Sequence, residues 1–239
     1  MMADRPAGTP AAGSTATGPG IRSPGGASAR PTTRLLGAVL AGGRSRRFGS
    51  DKAVERVGGA TLLDRAADTL AEVFGEVVIV SARAVETDRQ VVPDARDPCG
   101  PLGGIEAALA HAVELGLDGA FVLACDLPVV TADTVRDVAR ALDCSPTALA
   151  AAPAGRDGRS AEPLCAAYRV ACLGEVRALL DDGRLAAVGL FDRVGGVIMP
   201  RPDDELLNVN TRADRDRAER VLAERLLAER VDEEAKRPS

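Results

Sequence analysis

"LLGAVLAGGRSRRFGSDK", residues 35–52, runs seven apolar or small residues into a glycine pair and then a basic loop. An apolar run with no polar alternation predicts a strand buried on both faces, the signature of parallel strands covered by helices. The segments that follow repeat the pattern. Residues 61–74 place Leu62, Leu63, Ala66, Ala67, Leu70 and Phe74 on one face at helical spacing, and Gly75 stops that helix before a strand "VVIV" from Val77. A second helix is expected after "GPLGG", with Leu102, Ile105, Leu109 and Val113 inward, and then a continuous apolar strand "GAFVLAC" that runs up to Asp126. Residues 131–142 read as a helix and "ALAAAPA" as a short strand. Strands alternating with helices predict an α/β chain: a three-layer α/β/α arrangement, Rossmann-like, on a mainly parallel sheet.

Signals weaken past about residue 153. "EPLCAAYR" reads as a strand, residues 171–180 as a helix, residues 206–209 as a short strand, and the chain from Arg212 as a long charged helix. That last helix carries Ala218, Val221, Leu222 and Leu226 on one side, as expected of a docked terminal helix with a solvated outer face. Residues 1–33 are Pro, Gly, Ala, Ser and Thr with scattered Arg and no periodicity, a composition unable to offset chain entropy by burial. The expected organisation is a tail over 1–33, a single domain over 34–230 and a short C-terminal tail over 231–239.

Composition narrows the function classes. The net charge of −5 gives no global basic field for nucleic acid or acidic membranes, so any anion site is local. Aromatics are 2% with no Trp, too few for the stacking platforms of single-stranded nucleic acid. No run approaches the ~20 apolar residues that span a bilayer. The five cysteines, at 99, 125, 144, 165 and 172, form no C-x-x-C pair, which disfavours a disulfide framework or zinc site and fits the reducing cytoplasm. The single histidine, His111, sits in an Ala-rich helical pattern without an obvious carboxylate partner and reads as structural.

In a parallel α/β sheet the ligand crevice lies beyond the C-terminal ends of the strands. Two candidates fall there. The first is the loop after "GAVL". It has neither the G-x-G-x-x-G spacing of a dinucleotide fingerprint nor the GK[ST] ending of a P-loop. Gly42 and Gly43 allow close backbone approach to an anion or base edge, and Arg44, Arg46, Arg47 and Lys52 can neutralise a triphosphate; a solvated basic turn is the other reading. The second is Asp126 in "ACDLP", a carboxylate ending an apolar strand, as suits Mg²⁺ held by few carboxylates plus substrate phosphates. The competing role, helix N-cap, falls better to Thr131 or Asp133. "DPCGPLGG" from Asp97, with Gly100, Gly103 and Gly104 around Pro101, is either an ordinary turn or a second wall of the pocket. "NVNT", residues 208–211, puts Asn208 and Asn210 on one side of a short strand, although Asn also caps and turns.

Taken in order, LAGGRSRRFGSDK, PDARDPCGPLGG, ACDLP, EPL and LLNVNT resemble the molybdenum cofactor guanylyltransferases, within the nucleotidyltransferase group of α/β proteins. The resemblance covers residues 35–212. It implies the nucleotidyltransferase fold and transfer of GMP from GTP to the phosphate of molybdopterin, with release of pyrophosphate and with Mg²⁺ as cofactor. It implies nucleotide contacts from Leu40, Ala41, Gly42 and Gly43, and a phosphate-binding role for Lys52 with Arg47 beside it. Asp126 corresponds to the Mg²⁺ aspartate, which also borders the nucleotide. Asp94 corresponds to a nucleotide-contacting aspartate, with Asp97 as the competing assignment because the segment is one residue shorter. Gly100, Pro101, Leu102, Asn208 and Asn210 fall on the pterin side, and molybdoenzymes or their chaperones would receive the product. One departure is "VSAR" after the second strand, where the family often has Asn-Ala-Asn-Arg. The rival readings are a cytidylyltransferase for the same pterin, which usually has Ala-Ala-Gly where this chain has Ala41-Gly42-Gly43, another small-molecule nucleotidyltransferase, and a catalytically silent protein that delivers the pterin cofactor. Retention of both Lys52 and Asp126 argues against the silent reading.

Overall fold

The computed structural model describes residues 33–41, 55–94, 96, 100–155, 157–200 and 204–235. In chain order the elements are β1 (Leu35–Leu40), β2 (Arg56–Val57), β3 (Ala60–Thr61), α1 (Leu62–Ala71), β4 (Val77–Val80), β5 (Val91–Val92), α2 (Gly100–Glu114) and β6 (Gly119–Ala124). There follow α3 (Ala132–Asp143), β7 (Ala150–Pro153), β8 (Cys165–Arg169), a 3₁₀ turn (Val170–Cys172), α4 (Leu173–Asp181), α5 (Val188–Val194), β9 (Gly196–Met199) and α6 (Arg212–Ala235).

Seven strands form one sheet in the order β5-β4-β1-β6-β8-β7-β9, and β2 and β3 form a separate hairpin. β5, β4, β1 and β6 are mutually parallel, as are β7 and β9, while β8 runs antiparallel to both neighbours. The sheet is thus mainly parallel, and helices cover both faces. Alternation along β1 shows how: Leu36, Ala38 and Leu40 join a core with α2, α4 and α5, whereas Leu35 and Val39 join a core with α1 and α3. Burial on both sides explains why the strand reads as an unbroken apolar run. α1 and α3 begin where sequence places their caps, with Thr61 Oγ1 accepting from Asp64 N–H at 3.0 Å and Thr131 Oγ1 from Thr134 N–H at 3.2 Å.

Several expectations are corrected. α2 does not follow "GPLGG" but contains it, starting at Gly100 with φ +57°, where a side-chain Cβ would lie 2.8 Å from the Leu185 carbonyl oxygen. Residues 206–209 are not a strand. Leu206 enters the α1/α3 core, and Leu207 and Val209 enter a third cluster with Val57, Leu62, Val129 and Ala218, so burial rather than sheet pairing holds them. α6 packs through Ala218, Val221 and Leu222, but Leu226, expected on that buried side, is 59% exposed, because the helix has run past the hairpin it leans on. His111 does have a carboxylate partner: its Nδ1 lies 2.9 Å from Glu114 Oε2 on the same helix, and its Nε2 faces Gln90 at 3.3 Å. The β2–β3 hairpin, β5, α5 and β9 are elements too short to show a period. Among the described residues no helix is long and apolar enough to cross a membrane.

Candidate active site

The sheet brings the ends of β1 and β6 side by side. Leu40 pairs in register with Ala124, and Cys125 N–H donates to the Leu40 carbonyl at 3.2 Å. The chain leaves β1 through Ala41, whose N–H donates to Val80 O at 2.9 Å. Gly42, Gly43, Arg44, Arg46, Arg47, Lys52 and Asp97 lie outside the described residues. The chain re-enters at Glu55, whose carbonyl accepts from Leu62 N–H at 2.8 Å and whose carboxylate pairs with Arg215 Nη1 of α6 at 3.1 Å. Glu55 is therefore fastened to α6.

Asp126 follows β6 at this rim, half-buried between Cys125 and Leu127. Two contacts from the C-terminal part of the chain meet it. The Asn208 amide nitrogen, oriented so that both groups are satisfied, donates to Oδ2 at 2.8 Å and Oδ1 at 3.0 Å. Val209 N–H donates to the Asp126 carbonyl at 2.8 Å. α6 holds the same segment in place: Arg225 Nη1 donates to Val129 O at 2.5 Å, and its Nη2 lies 3.7 Å from Glu205. Thr134 Oγ1 also donates to Glu205. Thr211, the last residue of "NVNT", caps α6 by accepting from Asp214 N–H at 3.1 Å, while its own N–H donates to the Asp214 carboxylate at 2.8 Å. Helix capping, not strand pairing, is thus what this motif does locally.

A cleft of about 750 Å³ opens beside the Asp126 rim, and Asn208 and Asn210 both line it. Pro101 lines it as well, at the start of α2. Leu102 does not: its side chain is fully buried in the core, and its N–H donates to Leu185 O at 3.2 Å, so it anchors the helix start. Asp94, half-buried just past β5, is separated from β6 by two intervening strands, a distance of about 14 Å across the sheet. The structure therefore joins Asp126 and Asn208, while Asp94 follows an edge strand of the sheet. Arg96 beyond it pairs with buried Glu106 of α2 at 3.1 Å and with Asp181 of α4 at 2.6 Å, which ties this segment to two helices.

Sequence reasoning missed much of the cleft lining, made by Asp157, Ser160 and Glu162 of the β7–β8 connection and by residues 185–188. The resemblance gives "EPL" no role, while the D-G pair at 157–158 signals the turn. Asp157 accepts from the backbone N–H groups of Arg159 and Ser160 and from Ser160 Oγ, which hold its carboxyl down at a pKa of about 2. Two thiols near this wall are poor nucleophiles: burial pushes Cys165 well up, and Cys172 up to about 12. Among the described residues no group of three or more His, Cys, Asp or Glu side chains is set to hold a metal alone.

Residues 37–193 match the family model described as the MobA-like NTP transferase domain. The molybdenum cofactor guanylyltransferase of Desulfosudis oleivorans is 31% identical over 164 residues, covering 67% of this chain and 78% of that protein. In fold, the chain is similar to the crystal structure of molybdopterin-guanine dinucleotide biosynthesis protein A from Archaeoglobus fulgidus, with a TM-score of 0.66 at 22% identity over 80% of this chain and 100% of that one. It is also similar to a Mycobacterium tuberculosis protein crystallised in complex with manganese, with a TM-score of 0.57 at 21% identity over 78% of this chain and 98% of that one.

Proposed function

This chain belongs to the MobA-like NTP transferase family, and from that premise we propose that it is a molybdenum cofactor guanylyltransferase, moving GMP from GTP to the phosphate of molybdopterin. The observation that carries the reading is the joining of Asp126 and Asn208 at the rim where β1 and β6 end, with a cleft large enough for a second substrate opening beside them.

The donor set fits Mg²⁺. Asp126 is a single carboxylate at a strand end, and a hard cation held by one or two carboxylates is completed by substrate phosphates rather than by a protein cage. Mg²⁺, when bound, offsets the negative charge of the triphosphate. Asp126 would hold it, and Asn208 orients the carboxylate through its amide. Leu40, Ala41, Gly42 and Gly43 would meet guanine and phosphates, with Asp94 or Asp97 on the nucleoside. Lys52 and Arg47 neutralise charge on the leaving pyrophosphate. Pro101, Asn208 and Asn210 border the second substrate.

A phosphate oxygen of molybdopterin attacks the α-phosphorus of GTP. A new P–O bond forms as the bond from the α-phosphorus to the bridging oxygen breaks, and pyrophosphate leaves with that electron pair. The attacking phosphate is largely ionised at neutral pH because its second pKa is about 6, so no side-chain base is required. Positioning and charge neutralisation do the rest. Thermal shift tests the assignment: GTP with Mg²⁺ should stabilise the fold by about 2.7 kcal/mol at ~100 Kd, and CTP should bind about tenfold more weakly. Equal shifts would sink the assignment of GTP, and a larger shift with CTP would favour the cytidylyltransferase reading. Failure to release pyrophosphate from GTP when molybdopterin is supplied would end the guanylyltransferase one.

A further inference from the structure

The last helix buries one face and carries apolar side chains on the opposite one. α6 docks through Ala218, Val221 and Leu222, and Arg225 donates to Val129 O from the same side. A helix docked in this way is ordinarily polar on its outer face. Here Leu227 is 62% exposed and Val231 64%. At about 100° per residue, Leu227 falls half a turn round the axis from the buried Ala218. Arg220, Leu227 and Glu234 recur at the heptad interval, so they form one row along the outer face, drifting only about 20° per heptad. All three are exposed, as are Ala223, Glu224 and Arg230 beside the row. Among the described residues, the ion pairs of α6 use Arg215, Arg217 and Arg225, and Arg220 and Glu234 take part in none.

A row that reads cation, leucine, anion is its own complement when reversed, as a two-fold interface requires. Setting a second α6 antiparallel, with the two-fold axis at Leu227, brings Leu227 onto its own copy and Arg220 of each helix onto the partner's Glu234. At the levels between, Ala223 lies opposite the partner's Val231, and Glu224 lies opposite the partner's Arg230. A parallel pair would do the reverse, setting Arg220 against Arg220 and Glu234 against Glu234, like charges at close approach. Because the row is half a turn from the docked face, the two domains lie on opposite sides of the helix pair and do not collide. We infer that a second copy of this chain docks on the outer face of α6, forming an antiparallel, two-fold symmetric helix pair centred on Leu227. The contact is small. About two heptads of helix bury less than the roughly 800 Å² per partner of a standard interface, so the dimer dissociates on dilution.

Sedimentation equilibrium of the full chain tests this. The wild-type mass should rise from monomer toward dimer between about 5 and 500 μM, the range of a small, transient interface. The rise should shrink in about 1 M salt, where the Debye length falls to about 3 Å. Leu227→Glu sets two like charges on the two-fold axis and should keep the chain monomeric throughout. Its helix content, read by circular dichroism, should match wild type, because Glu is a good helix former. Leu226→Glu, equally exposed but off the row, should still dimerise. Arg220→Glu should weaken the dimer about tenfold, and adding Glu234→Arg, which exchanges the two charges, should restore it. That restoration separates a specific antiparallel register from general stickiness, and it does not depend on how Leu227→Glu folds. A single monomeric species up to ~500 μM in wild type overturns the inference and leaves the row to another occupant. Loss of the dimer in Leu226→Glu but not in Leu227→Glu overturns it, as does a charge exchange that fails to restore what Arg220→Glu removed.

Discussion

The amide of Asn208 bridges both carboxylate oxygens of Asp126, at 2.8 and 3.0 Å, and so fixes an acidic group where β1 and β6 end side by side. Partners that orient a metal-binding carboxylate typically contribute 10- to 100-fold to metal affinity or activity. Asn208→Ala should therefore lower turnover by about that factor and raise the Mg²⁺ concentration needed for half-maximal rate. Its melting temperature should change little, since Val209 still anchors the segment through Asp126 O. An unchanged Mg²⁺ requirement would show that the bridge is only structural.

Asp126→Ala and Lys52→Ala should each cut pyrophosphate release by roughly two to three orders of magnitude, the scale for one preorganised electrostatic contact. They should differ in one respect. Asp126→Ala should weaken the Mg²⁺ dependence of GTP binding, whereas Lys52→Ala should leave it in place. Calorimetric titration with and without Mg²⁺ separates them, and near wild-type turnover in both folded variants would place the chemistry elsewhere.

Glu106 is almost fully buried and lies 3.0 Å from Arg177 Nε and 3.1 Å from Arg96 Nε. Because both arginines keep solvent contact, screening reduces what the network contributes. Glu106→Gln should cost about 1–2 kcal/mol, well below the figure for a fully buried pair. A fall in melting temperature of about 3–6 °C would register it. No loss of stability would mean that the two arginines do not depend on this carboxylate.

Gly119 opens β6 at its crossing with β8, where an added Cβ would run into the carbonyl oxygen of Tyr168. The obstacle is backbone inside a central pairing of the sheet, so a rotamer change cannot relieve it. Gly119→Ala should destabilise by more than about 3 kcal/mol, measured by urea unfolding, or fail to accumulate as folded protein. A loss below ~1 kcal/mol would contradict the closeness of β6 and β8.

The hydrogen bonds from Arg159 and Ser160 hold the Asp157 carboxyl at about 2, below its ordinary 3.8. A group whose folded pKa is depressed contributes stability that is complete above the unfolded value and is lost as pH falls through the folded one. The turn at 155–160 should thus keep its geometry down to about pH 4 and loosen progressively toward pH 2. The Ser160 amide resonance should follow that titration, and a midpoint near 4 would show that the carboxyl is not held by its turn.

Much of this molecule is decided by residues close together in the chain. Apolar runs at 35–40 and 119–124 set strands buried on both faces, and Thr61 and Thr131 set helix starts through bonds to amides three residues on. Asp126 at the end of an apolar strand marked the rim of the site for the same reason, since strand direction alone puts it at the C-terminal edge. Tertiary structure decided the rest. It inserted β8 antiparallel between β6 and β7, laid Asn208 on Asp126, buried Leu102 in the core rather than in the cleft, and brought Glu162 and Asn210 to the lining of one cleft. Periodicity and capping record which way a side chain faces relative to its own backbone. Which distant segment meets that face depends on strand order and on where buried residues such as Leu206 and Val209 find a core, and neither leaves a local pattern in the residues themselves.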